Sequence, residues 1–148
     1  MKYFWRKLAG HPDTGRLALT DLKRTGKPND ALIAPADQVT LTADAPAPVF
    51  NVTPHDLYAA LVKLLDADPQ VEWAQQDATE AYLRFLTYSA TLKFPDLHHI
   101  WVLEAADAGT STLVLYAAAQ LGHSDFGKNR QRLDAWLAEL TAQLSANA

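Results

Sequence analysis

Between residues 71 and 120 four runs rich in β-branched and aromatic side chains follow one another, at 71–76, 81–92, 99–105 and 112–119. The connections between them are short and carry turn residues: Asp77-Ala78-Thr79, Phe94-Pro95-Asp96 and Asp107-Ala108-Gly109. A parallel crossover needs a dozen or more residues, so these strands can only be antiparallel neighbours. The centre of the chain is therefore a four-stranded meander, and everything else must pack around it.

The face pattern of that sheet is incomplete. In the second run Tyr82, Leu86, Tyr88 and Leu92 share one face, and Leu83, Phe85, Thr87, Ser89 and Thr91 the other, with neither strongly polar. The expectation is that helices cover the more apolar face while the second stays open as a groove.

Two helices are available. Thr53 before Pro54 and Asp56 reads as N-cap, N1 and N3, and Leu57, Leu61, Leu64 and Leu65 form a stripe that stops near Asp68-Pro69. A second helix over 124–144 carries Leu133, Trp136, Leu137, Leu140 and Leu144 at helical spacing. Residues 20–48 hold Pro28, Pro35, Pro46 and Pro48 and read as an extended segment wrapped over the body. Short edge strands are expected at 39–42 and 49–52. The predicted class is α+β: an antiparallel four- to five-stranded sheet packed on two helices in the order β-α-β4-α, with an extended N-terminal arm. At 148 residues this is one domain, taken as 21–148, preceded by the arm at 1–20.

Charge narrows the function classes. Residues 1–28 carry seven Lys/Arg against two Asp, a balance of +5, and the remainder carries six against fifteen, a balance of -9. An acidic body argues against nucleic acid as a partner, because phosphate contacts need a positive face. With no cysteine there are no disulfides, thiolate metal ligands or cysteine nucleophile. No apolar run reaches the ~20 residues of a membrane span, and residues 1–10 lack a signal-peptide pattern. The expected location is the cytoplasm. Met1, Phe4, Trp5 and Leu8 share a helical face with Lys2, Arg6 and Lys7 around it, so Phe4, Trp5, Arg6 and Lys7 are candidate contacts to an anionic membrane surface. The plainer alternative is an arm packed on its own domain.

The densest run of motif residues is Gly122-His123-Ser124-Asp125-Phe126-Gly127-Lys128-Asn129-Arg130-Gln131-Arg132, between the last strand and the last helix. It resembles a phosphate loop until Asn129, which stands where a magnesium-binding Ser/Thr is required, and no parallel sheet can follow. As a helix start it needs Ser124 as cap and Asp125 beside the dipole. As an anion or ligand pocket it offers His123, Ser124, Asp125, Asn129, Arg130 and Arg132, although Asp125 opposes an anion. Asp96, His98, His99 and His123 are the available metal donors, but His98 and His99 are strand neighbours on opposite faces, so no metal site is assigned. Ser89, Ser111 and Ser124 lack a nucleophile-elbow context. No catalytic set and no cofactor is assigned.

Gly122-x-Ser124-Asp125-x-Gly127-x-Asn129-x-x-Arg132, with Lys27-Pro28-Asn29-Asp30, Phe94-Pro95-Asp96 and Trp136-Leu137, resembles the pattern of the domain-of-unknown-function family 1499 over about residues 21–144. The resemblance implies a shared fold and supplies no activity. It also implies arginine-bearing runs in relatives just before Gly122 and just before Phe94. Here those positions read Ala117-Ala118-Ala119-Gln120 and Tyr88-Ser89-Ala90-Thr91-Leu92. The expectation drawn from all of this is a non-enzymatic binding or accessory domain, its partner a small apolar or amphipathic molecule or a protein segment on the open sheet face. The alternative is a peripheral membrane or envelope protein docked by its N-terminus.

Overall fold

A computed structural model describes residues 11–90 and 92–146. Five strands form one antiparallel sheet: β1 (Asp30–Ile33), β2 (Glu72–Asp77), β3 (Tyr82–Tyr88), β4 (Pro95–Glu104) and β5 (Ser111–Ala119), in the spatial order β1-β5-β4-β3-β2. Helices α1 (Pro54–Asp66) and α2 (Lys128–Ala146) complete the predicted β-α-β4-α order.

The first strand is not where the alternation placed it. Residues 39–42 form no strand, and Phe50 alone of 49–52 bridges to Ser111, with N–H···O distances of 2.7 and 3.0 Å. The edge strand is β1, paired with the far end of β5 from Asp30↔Ala118 to Ile33↔Leu115. Its free side is covered: Leu32 N–H donates to Asp44 Oδ2 at 2.8 Å, Asp44 N–H returns a bond to Leu32 C=O at 2.8 Å, and Ala34 N–H reaches Ala45 C=O. An uncovered edge would invite pairing with another chain, so this cover closes that side of the sheet.

The helices lie on the face that carries Leu83 and Phe85, not on the face of Tyr82, Leu86 and Tyr88. Leu57, Leu61, Leu64 and Leu65 of α1 and Leu133, Trp136 and Leu140 of α2 join Ile33, Leu83, Phe85, Ile100, Leu113 and Leu115 in one buried cluster. The second face is not open. Leu17, Leu19, Leu22, Val39, Leu41 and Ala43 lie across Leu32, Tyr82, Trp101, Val114 and Tyr116, which are buried in turn. The reason is visible in the strands, whose apolar residues on both faces would each expose a large patch if left uncovered.

Charged side chains pin that cover. Arg84 pairs with Asp13 at 2.8 Å, Arg16 reaches Asp77 at 2.8 Å while sitting over the Tyr82 ring, and Arg24 bridges Asp30 and Asp44 at 2.9 Å each. No helix of the described residues is long and apolar enough to cross a membrane. Phe4, Trp5, Arg6 and Lys7 lie outside the described residues.

Candidate functional site

At the end of the sheet where β3 leaves and β4 enters, three separated sequence motifs meet, those of residues 27–30, 94–96 and 122–132. Asn29, just before β1, donates from Nδ2 to Gly122 C=O at 3.2 Å and accepts from the Ala119 N–H on its own carbonyl at 2.8 Å. Asp125 N–H donates to Pro28 C=O at 3.1 Å. Asn129, on the first turn of α2, donates from Nδ2 to Asp96 Oδ1 at 3.3 Å, and Arg132 one turn on donates to Asp96 Oδ2 at 3.1 Å. Gln120 N–H closes the corner on Pro95 C=O at 2.9 Å. Asn29, Asp96 and Asn129 are all buried.

The helix starts later than the sequence suggests. Ser124 does not cap it; the first helical residue is Lys128, because Phe126 (φ 55°) and Gly127 (φ 78°) both adopt left-handed backbone that no α-helix admits. The turn satisfies its own amides instead. Ser124 Oγ accepts from Phe126 N–H at 3.1 Å, while Asp125 accepts from Gly127 N–H at 2.8 Å and Asn129 N–H at 3.3 Å. The donors that a phosphate would require are thus already engaged. Arg130 is engaged too, with Asp134 at 3.0 Å and the Asp44 carbonyl, and His123 is exposed, making no part of the cluster.

Burial pushes the Asp96 carboxyl above its usual range; Arg132 and Asn129 pull the other way without cancelling the effect, and Asp125 adds to the rise. Two residues along β4 on the same face, His98 is fully buried. Its Nε2 lies 2.8 Å from Thr87 Oγ1, its ring stacks on Phe85 at 4.7 Å and meets Trp136 edge-on at 5.3 Å. Burial, then the nearby Arg132 guanidinium, holds His98 well below the normal histidine range. His99 points to the opposite face, as strand alternation requires, where Nδ1 meets Tyr82 Oη at 2.7 Å. Burial and then Arg84 bring its pKa down to about 4, against an upward pull from Asp13. Among the described residues no group of three His, Asp or Glu is placed to hold a metal.

Beside this polar cluster opens a cleft of about 260 Å³, and sequence reasoning missed it. One wall is the β3–β4 loop, where Ser89 and Phe94 close the base through Ser89 N–H to Phe94 C=O and Phe94 N–H to Ser89 Oγ, each 2.9 Å. The other is the β5–α2 junction with Ala119, Leu121, Ser124 and Phe126. Ala90, Leu92 and Phe94 make the opposite lining apolar, and Asp96 and Asp125 lie at the polar side. Phe126 is 85% exposed on the rim, a large aromatic in a strained backbone conformation with little packing to hold it there. Lys93, in the facing loop, shares the same left-handed geometry at φ 56°.

The pattern of family 1499, described as "Protein of unknown function (DUF1499)", matches residues 24–140, a span that holds Asn29, Asp96, Asn129 and Arg132 of this cluster. The chain belongs to DUF1499. A search of curated proteins finds no match. Among solved structures the chain is similar to TTHA0849 from Thermus thermophilus, with 11% identity, a TM-score of 0.30, and coverage of 79% of this chain and 92% of that one, a likeness too slight to support any inference. Within this DUF1499 chain, both stretches that lack the arginines implied for relatives, residues 88–92 and 117–120, contribute to the cleft through Ser89, Ala90, Leu92 and Ala119.

Proposed function

We propose that this DUF1499 chain is a non-enzymatic binding module whose ligand is a small amphipathic molecule held in the cleft between the β3–β4 loop and the β5–α2 junction. The observation that carries this reading is the lining itself: Leu92, Phe94, Ala119, Leu121 and Phe126 supply apolar walls, while Ser124, Asp125 and Asp96 supply a few fixed polar groups. Because the second face of the sheet is covered, this reading sets the ligand at the sheet end and not on the sheet surface. Three of the ionisable groups nearby are committed to holding the fold, Asp125 to turn amides, Arg130 to Asp134 and Arg132 to Asp96, which favours binding over catalysis. Of the residues singled out in the sequence, Ser124 and Asp125 touch the ligand in this reading, and Asn129 and Arg132 position Asp96.

Titration of 15N-labelled protein with 1-octanol, below its solubility limit, tests the reading by amide shift mapping. The expected outcome is saturable shifts concentrated at Leu92, Leu121, Ser124 and Phe126. Octanol shifts absent there, or scattered over the surface without saturation, overturn it.

A further inference from the structure

The cleft does not end at its rim. A second, more open groove of about 490 Å³ runs along one face of α2, and the two share Ser89, Ala90 and Lys128. The groove is floored by Lys128, Arg132, Ala135 and Glu139, spaced four, three and four residues apart, which places them in a row along the helix. The inner cleft is apolar-walled and, at about 260 Å³, falls just below the ~300 Å³ at which drug-sized pockets begin, so it suits a short chain rather than a whole ligand. The outer groove is polar and open. The two spaces thus adjoin at Ser89, Ala90 and Lys128, an apolar-walled one on one side and a polar one on the other.

Hydrogen-bond donors gather where the two spaces meet. Lys128 forms no ion pair among the described residues. Ser89 Oγ accepts from Phe94 N–H, which leaves the hydroxyl proton for another acceptor. The exposed Gln131 lines the groove beside them. Of the carboxylates in range, Asp96 is paired with Arg132 and takes the Asn129 amide, whereas Asp125, bonded to two backbone amides, and Asp68, bonded to Gln70 N–H at 2.9 Å and Trp136 Nε1–H at 3.0 Å, have their oxygens engaged but keep their charge. Glu139 lies eleven residues beyond Lys128, roughly 16 Å along the helix axis, too far to neutralise it.

Resting on the proposed cleft, we infer that the ligand is a single-chain amphiphile with an anionic oxygen head, its tail in the inner chamber and its head held by Lys128 and Ser89 at the shared mouth. The recognising chemistry is an ammonium and a hydroxyl donor facing a phosphate or carboxylate.

Isothermal titration of the full chain with octyl phosphate, octanoate, 1-octanol and octylamine, all below their micelle concentrations, tests this with the tail held constant. The two anions are expected to bind about tenfold more tightly than octanol, the gain of one charge-assisted contact, with octylamine weakest. Lys128→Gln is expected to bring the anions to within about twofold of octanol measured on the same variant. Equal affinity for all four heads, an octylamine preference, or an anion preference that survives both Lys128→Gln and Ser89→Ala overturns the head-group assignment while the cleft itself stands. If no octyl compound shifts the amides of Leu92, Leu121 and Phe126, the cleft reading falls with it. Lys128→Gln changes an exposed side chain, so the folded state is expected to be retained and circular dichroism checks it.

Discussion

Arg132 on α2 donates to the Asp96 carboxylate at the head of β4 across 3.1 Å, joining residues 36 apart in the chain. Both side chains are mostly buried, at 17% and 12% exposure, and the same carboxylate takes the Asn129 amide on its other oxygen. That pair fixes where α2 begins relative to the sheet end, and so sets the separation of the two walls of the cleft.

Removing the cation alone should therefore cost more than removing both charges. Arg132→Met is expected to destabilise the fold by about 2–3 kcal/mol in urea unfolding, because it leaves a desolvated carboxylate without its partner. The double variant Asp96→Asn with Arg132→Met is expected to recover part of that loss. A double variant as unstable as the sum of the two single ones would mean that the pair does not couple.

The two buried histidines predict an acid dependence. Each is held neutral in the folded protein, His98 well below the usual value of 6.5 and His99 at about 4, whereas in the unfolded chain each titrates near 6.5. Their contribution is fully present above pH 6.5 and is lost as pH falls toward the folded values, because the unfolded chain then binds more protons. Between pH 6 and 5 the unfolding free energy should fall with a limiting slope of about 1.4 kcal/mol per pH unit for each histidine. His99→Gln is expected to halve that slope, whatever it does to stability at pH 7. A flat profile across this window, above the range of the ordinary carboxylates, would contradict the burial argument.

Phe126 combines 85% exposure with a left-handed backbone. Phe126→Gly should raise thermal stability, by about 1 kcal/mol, since it relieves the strain at little packing loss. The same variant should weaken octanol binding in the cleft. A gain in stability with unchanged binding would show that the ring has no part in the site.

The start of α1 was legible to the residue. Thr53 Oγ1 accepts from Asp56 N–H at 3.1 Å with Pro54 at the first helical position, as the local sequence requires. Thr53→Ala is expected to cost about 1 kcal/mol, read as a shift in the urea midpoint without a change in slope.

What could be read in advance was local. The stripe of Leu57, Leu61, Leu64 and Leu65, the meander imposed by short connections, and the opposite faces of His98 and His99 all follow from spacing along a single segment. What could not be read depends on distant partners. Asp30–Ile33 has no alternation to mark it as a strand and becomes one because β5 offers Leu115 to Ala118 as partners. Residues 39–42 do alternate, yet they lack a strand to pair with and pack as cover on the second face through Val39 and Leu41. The late start of α2 depends on Phe126 adopting an angle that phenylalanine rarely takes, for which the sequence carries no signal. The cleft has walls from two segments some thirty residues apart, so no motif announces it; the arginine-free stretches at 88–92 and 117–120 were its only trace.

The central claim is that a short amphipathic chain occupies that cleft, and intermolecular NOEs measure it most directly. With methyl-labelled protein and 1-octanol, NOEs from the octanol terminal methyl to the Leu92 and Leu121 methyl groups are the predicted result. NOEs from that methyl only to side chains of the covered second face, such as Leu17 and Val39, or no NOEs at all at saturating octanol, would contradict it.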